Sequence, residues 1–259
     1  LKIDKIEVQN ARGIAAVKDF SLDVKAGEIV GIAGIDGNGQ TELIQGITGL
    51  AKVQSGTVWL QGKDMTNKTP RQITETGVGH IPEDRLRFGM EVEMTLSENL
   101  ALQTYYKSPL SKAGVLQPVA MDELANKLVK EFDVRSAGIQ VTAGSMSGGN
   151  QQKAVIAREL NRDNDLIIAA QPTRGLDVGA VEYIHQRLIA QRHAGKAVLV
   201  VSFELDEILN LSDRIAVINA GQIVGIVNAK DTNKQELGLL MTGMSLTDAR
   251  AALKETVNA

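Results

Sequence analysis

The stretch that most constrains this chain is an apolar segment, Glu28–Ala33, running directly into Gly34-Ile35-Asp36-Gly37-Asn38-Gly39-Gln40-Thr41. Beyond it Leu43, Ile44 and Ile47 recur at helical spacing, and Gly49 suits a helix end. A buried strand, a glycine turn and a helix N-terminus, in that order, make an anion cradle. Glycines let backbone N–H groups converge, and the helix dipole adds favourable potential. The spacing is that of the phosphate loop G-x-x-x-x-G-K-[ST], with Gln40 in the place of lysine. Thr41 keeps the hydroxyl suited to magnesium, whereas Gln40 offers a hydrogen bond without charge. Loss of a charge-assisted bond weakens phosphate binding by roughly 1.5–3 kcal/mol, and the negative Asp36 opposes it further. Taken alone, the string fits a ligand-free glycine turn equally well.

The flanking sequence alternates strand and helix. Phe20, Leu22 and Val24 alternate with polar residues; Thr57–Leu60 enters a turn at Gln61-Gly62; Val78–Ile81 stops at Pro82. Helical patterns then dominate: Glu98–Tyr106, with Ser97 as cap, then Asp122–Phe132 and Gly148–Asn161, with Pro109, Gly114 and Pro118 between the first two. Strands return at Leu166–Ala170, Ala197–Ser202 and Arg214–Asn219, with a helix over Val178–His193 and a turn at Ala220-Gly221 into Gln222–Val227. Helices near Lys234–Met241 and Thr247–Thr256 close the chain. This order predicts one α/β domain over 1–259, with a core of about 1–96 and 163–259 and an inserted helical subdomain of about 97–162.

Composition removes several function classes. A net charge of −3 without a basic run argues against nucleic-acid binding. The absence of cysteine excludes disulfides and thiolate metal sites. Apolar runs such as Val198–Val201 are too short to cross a bilayer, and no signal peptide is evident. The strand-like start at Leu1 suits a fragment of a longer chain. His80, His185 and His193 lack metal-ligand spacing; Trp59 reads as packed, Tyr105 and Tyr106 as core or rim of the helical lobe. Glu42 either decorates the first turn after the loop or partly replaces a lost carboxylate.

The string Ser147-Gly148-Gly149-Asn150-Gln151-Gln152-Lys153, before the amphipathic Val155, Ile156 and Leu160, resembles the signature of ABC-family ATPases. The resemblance implies a P-loop NTPase cassette: a RecA-like core, an antiparallel β subdomain and an inserted helical subdomain. It implies head-to-tail pairing of two cassettes, in which Ser147, Gly148, Gly149 and Gln151 face the γ-phosphate of ATP held on the partner. A hydroxyl, two glycines and a helix dipole suit that task.

Leu166–Ala170 followed by Gln171-Pro172-Thr173 resembles the family's catalytic strand, which ends in Asp-Glu-Pro-Thr. Ala170 stands for the magnesium-supporting aspartate and Gln171 for the glutamate that activates water. Glutamine holds water but cannot take its proton; losing a general base is typically worth about 10²–10⁴ in rate. Phe203 occupies the switch-histidine position and Glu83 that of the expected glutamine, and no adenine-stacking aromatic lies between Lys5 and Val17. Asp177, in the loop that reports across the dimer, is retained. The resemblance thus implies ATP and magnesium, held weakly or not at all here. Gly34, Asp36, Gly37, Asn38, Gly39, Gln40, Thr41, Glu42 and Glu83 form the nucleotide site and Thr41 is the weak magnesium candidate. No catalytic group is intact.

Ala26–Gly34, Ile81–Arg85, Ser147–Lys153 and Pro172–Ala180 resemble the second cassette of simple-sugar importer ATPases. The pairing of Asp36–Gln40 with Ala169–Pro172 is most similar to the nucleoside branch. The expected function is therefore the ATP-binding domain of a bacterial importer for sugars or nucleosides, peripheral on the cytoplasmic face of the inner membrane. Expected partners are a first cassette in the same polypeptide, membrane permease subunits and, indirectly, a periplasmic or lipoprotein solute-binding protein. ATP hydrolysis is expected only in the two-cassette assembly. The alternative is a regulatory or structural half that binds nucleotide without turning it over. Arg85, Arg87 and Phe88 are permease-contact candidates, with a solvated loop as the equal alternative.

Overall fold

The computed structural model describes the backbone of residues 1–257 and the side chains of 1–255; residues 258–259 of the expected core lie outside the described residues. In chain order the elements are β1 (Lys2–Gln9), β2 (Ala15–Asp23), β3 (Ile29–Ala33), α1 (Gln40–Thr48), β4 (Val53–Leu60), β5 (Lys63–Asp64), α2 (Pro70–Glu75), β6 (Val78–Ile81), α3 (Leu96–Ala101), β7 (Ser111–Lys112), β8 (Val115–Leu116), α4 (Pro118–Glu131), α5 (Gly148–Leu160), β9 (Leu166–Ala170), α6 (Val178–His193), β10 (Ala197–Val201), α7 (Leu205–Leu211), β11 (Arg214–Asn219), β12 (Gln222–Asn228), α8 (Lys234–Met241) and α9 (Leu246–Val257). They fall into two units: Leu1–Val78 with Asp165–Gln171 and Arg187 onward, and Gly79–Asn164 with Pro172–Gln186.

The first unit holds two sheets. One is antiparallel, in the order β2-β1-β4-β5; the other contains β12-β11-β3-β10-β9. β3, β9 and β10 are buried at every residue, which is why they read as unbroken apolar runs rather than alternating ones. They pair in parallel, Val198 beside Ile29 and Ile167, so their carboxyl ends share one edge of the sheet. Ile3, Ile6, Phe20, Leu43, Ile47 and Ile168 join one apolar core that fixes α1 and both sheets. Alternation along β4 turns Val58 and Leu60 inward and leaves Trp59 at 37% exposure. Trp59 is thus on the outward face, which corrects its reading as a packed residue.

The second unit is built on α3, α4 and α5. Thr95, not Ser97, caps α3, with a capping box in which Glu98 returns the bond to the Thr95 amide at 2.8 Å. Ser97 is one turn inward, buried, and donates to Asp122 Oδ1 at 2.6 Å. The helix ends at Ala101, short of Tyr106, because turns occupy the following residues. Tyr105 is exposed and meets the Tyr106 ring edge-on at 5.5 Å, a rim position. Pro118 begins α4 at its first turn instead of interrupting a loop, so the helix starts four residues before Asp122.

Candidate functional site

The glycine loop leaves the carboxyl end of β3 and turns into α1, as its sequence predicts. Its N-cap is Gly39, at φ 100°, and a side chain there would strike the Ala16 carbonyl at 2.3 Å. Only glycine satisfies both demands. Asn38 anchors the loop to the β11–β12 turn: its Oδ1 accepts from the Ala220 amide at 2.7 Å and its carbonyl from the Gly221 amide at 3.1 Å. Its Nδ2 donates to the Ile35 carbonyl at 3.0 Å. The Ala220 anchor is 182 residues from Asn38 in sequence and carries no local signal.

Gln40 does not extend toward a ligand. It is buried, and its Nε2 donates to the Ile35 carbonyl at 3.0 Å while its Oε1 has no partner. Thr41 is exposed on the first turn of α1, Glu42 is half-buried behind it, and Asp36 and Gly37 are exposed in the loop. The first amides of a helix lack intrahelical acceptors, so the cradle can take phosphate oxygens.

Ala170 ends β9, Gln171 follows it, and Phe203 follows β10, all on the sheet edge from which the glycine loop departs. Gln171 has φ 47°, an uncommon conformation for a side-chain-bearing residue. Its amide donates to the Val201 carbonyl at 2.8 Å, and its Oε1 accepts from the Phe203 amide at 3.4 Å. The buried Nε2 is without a partner. The oxygen that would orient water is thus already engaged, and the end left over is a buried donor. Phosphate fits this donor set; magnesium does not, since Thr41 supplies one hydroxyl and neither Ala170 nor Gln171 a carboxylate. Among the described residues, no cluster of three or more acidic, histidine or cysteine side chains forms a metal site.

In the second unit Ser147 precedes α5 with extended backbone, φ −64° and ψ 151°, and its side chain makes no capping bond. Its hydroxyl accepts from Asn150 Nδ2 at 2.9 Å. Gly149 has an open face, with Asp177 Oδ2 3.8 Å from where a Cβ would sit. Gln151 points inward instead: it is buried and donates through Nε2 to the Ala143 carbonyl at 3.0 Å, so it supports the turn from behind. Gln152 likewise donates to the Pro172 carbonyl at 2.9 Å. Asp177 caps α6 by accepting from the Ala180 amide at 3.0 Å.

Glu83 pairs with Arg174 at 2.9 Å. Beyond it a turn over Arg85–Gly89, closed by Asp84 Oδ1 on the Leu86 and Arg87 amides at 3.0 and 3.1 Å, exposes Leu86, Arg87 and Phe88. Arg87 covers the Phe88 ring at 4.9 Å. Arg85 is half-buried and turns the other way, onto Gly148 and Gln151. Deeper in the unit, buried Glu159 holds Arg158 and Arg162 at 2.9 Å each and accepts from the His80 amide at 3.3 Å. Burial pushes the His80 imidazole down to about 4.

The nucleoside import ATP-binding protein NupA of Lactococcus lactis subsp. cremoris is 62% identical over 248 residues, 96% of this chain and 49% of that protein. The guanosine import ATP-binding protein NupO of Bacillus subtilis is 58% identical over 252 residues, 97% of this chain and 49% of that protein. The chain spans about half the length of these curated relatives. Among solved structures, a nucleotide-free ATP-binding cassette from an ABC transporter superposes with a TM-score of 0.73 at 26% identity, over 88% of this chain and 90% of that one. The fold is that of an ABC ATPase cassette. The family profile described as ABC transporter matches residues 17–174. Because that single match takes in both the glycine loop after β3 and the Ser147–Gly149 turn that opens α5, the chain belongs to the ABC transporter family.

Proposed function

We propose that the chain is the nucleotide-binding half of an importer for nucleosides, with a degenerate site of its own and a signature turn lent to a partner cassette. The observation that carries this is the contrast between the two ends of the chemistry. At the phosphate loop and strand edge, Gln40, Ala170, Gln171 and Phe203 stand where charge and proton transfer are needed; the Gln40 Oε1 is buried without a partner and the Gln171 Oε1 is taken by the Phe203 amide. At the signature, the Ser147 hydroxyl is not spent on capping, and Gly149 is open. Nucleoside transport is supported by the names of the two relatives above.

On this reading the partner cassette belongs to the same polypeptide; the match to half the length of its relatives leaves room for one. The assembly docks on membrane permease subunits fed by a solute-binding protein, at the cytoplasmic face of the membrane. Among the described residues no helix is long and apolar enough to cross one. ATP seated on this chain is held by loop amides and Thr41 without a magnesium carboxylate, and the chain contributes no base to its cleavage.

The test is ATPase activity of the assembled transporter against that of this chain alone. Negligible turnover by the chain, and loss of assembled turnover on Ser147→Arg, are expected. Turnover by the isolated chain, or indifference of the assembly to Ser147→Arg, refutes the proposal.

A further inference from the structure

The two signature glycines are small for different reasons. Neither lies in the left-handed region, so conformational freedom is not what they supply. At Gly149 a Cβ would meet only Asp177 Oδ2, at an ordinary 3.8 Å. At Gly148 the volume of a methyl group is already taken: a Cβ there would lie 2.6 Å from Arg85 Nη2 and 3.3 Å from its Cζ. The same guanidinium reaches Gln151 Oε1 from Nε at 3.5 Å, and Gln151 in turn holds the Ala143 carbonyl at 3.0 Å. The turn that carries Arg85 has a second foothold on α5, because a Cβ on Gly89 would meet Val155 at 3.3 Å. Arg85 therefore sets its Nη2 end against the start of α5 at Gly148 and, through Nε, meets Gln151, the residue that anchors the turn preceding Ser147.

We propose that Arg85 is a positioning residue for the signature: its guanidinium fills the space left by Gly148 and fixes the orientation of the Ser147–Gly149 turn. The role rests on the lending of that turn to a partner's ATP, proposed above. Arg85 acts through Gly148 and Gln151 and need not touch nucleotide. A side chain on Gly148 displaces the flexible end of Arg85 rather than breaking backbone, so Gly148→Ala and Arg85→Ala remove one and the same contact.

The experiment uses the assembled transporter with Arg85→Ala, Arg85→Lys, Gly148→Ala and the Arg85→Ala/Gly148→Ala pair, with Ser147→Arg as reference. The expected result is a fall in kcat on the order of tenfold for each single alanine variant, with KM for ATP little changed, and no further loss in the pair. Lysine, with a single nitrogen, cannot meet Gly148 and Gln151 at once and rescues only in part. Hydrogen exchange, read without turnover, is expected to quicken at 147–151 in the Arg85 variants and not in β3, β9 or β10. Additive losses, wild-type kcat in Arg85→Ala, or unchanged exchange at 147–151 overturns the role of Arg85. If Ser147→Arg itself leaves turnover intact, the lending of the signature fails instead; if Ser147→Arg abolishes turnover while the Arg85 variants match wild type, only the Arg85 role falls.

Discussion

Gln40 Nε2 donates to the carbonyl of Ile35, 3.0 Å away, so the residue in the lysine's place braces its own loop from within. A lysine there would carry charge into the cradle. We expect Gln40→Lys to tighten ATP and ADP binding to this chain about tenfold or more, the equivalent of one charge-assisted bond. Titration calorimetry with each nucleotide checks this; unchanged affinity would show that the loop amides already set the limit.

Charge at the loop does not restore chemistry at the strand edge. Gln40→Lys alone is expected to leave the isolated chain inactive, because Gln171 offers a donor where a base is needed. Adding Ala170→Asp and Gln171→Glu is expected to make binding magnesium-dependent. Nucleotide titrations with and without a chelator measure the difference.

Asn38 and Gly39 hold the loop to distant backbone. Removing the three Asn38 side-chain and carbonyl tethers is only partial in Asn38→Ala, since the carbonyl bond survives; a loss of about 1–2 kcal/mol is expected. Gly39→Ala meets both a left-handed φ and the Ala16 carbonyl, and is expected to cost more than about 2 kcal/mol. Urea unfolding of both variants orders them.

His80 sets an acid limit. Burial lowers its pKa from 6.5 to about 4, with Glu159 opposing the shift and Arg158 adding to it. The folded state keeps the imidazole neutral while the unfolded chain protonates it near 6.5, so the stabilisation is whole above that value and declines as pH falls toward 4. Between pH 7 and pH 5 the decline is about 2 kcal/mol. His80→Gln is expected to flatten this slope; an equal slope in the variant would assign the acid sensitivity elsewhere.

Glu159 lies between two guanidinium groups and is buried with Arg158. Glu159→Ala leaves that cation buried without its counterion, and a loss of about 3–5 kcal/mol is expected. A parallel Glu83→Gln variant, whose partner Arg174 is 63% exposed, is expected to change stability by under about 1 kcal/mol. Thermal melts of the two separate buried from exposed pairing.

The periodic parts of the fold were legible from residues alone. Val78–Ile81, Leu166–Ala170, Val178–His193 and Lys234–Met241 occupy the spans their patterns predict, because uninterrupted apolar runs and helical spacing survive tertiary context. Short elements were not. α2 depends on the Thr69 cap and Pro70 over six residues, and α7 spans seven, too few for a period to declare itself. In the site, the glycine loop and signature turn were visible as strings. The inward turn of Gln151, the packing of Arg85 on Gly148 and the bracing of Asn38 by Ala220 were not, since each is a pairing of residues distant in sequence or a choice of rotamer.

That last bracing has a consequence for how the molecule is made. Asn38 of the loop precedes Ala220 by 182 residues, so the backbone that clasps it arrives only with Ala220 and Gly221. Until the β11–β12 hairpin has emerged the loop lacks both of these bonds, so the clasped form of the cradle belongs to a unit already closed.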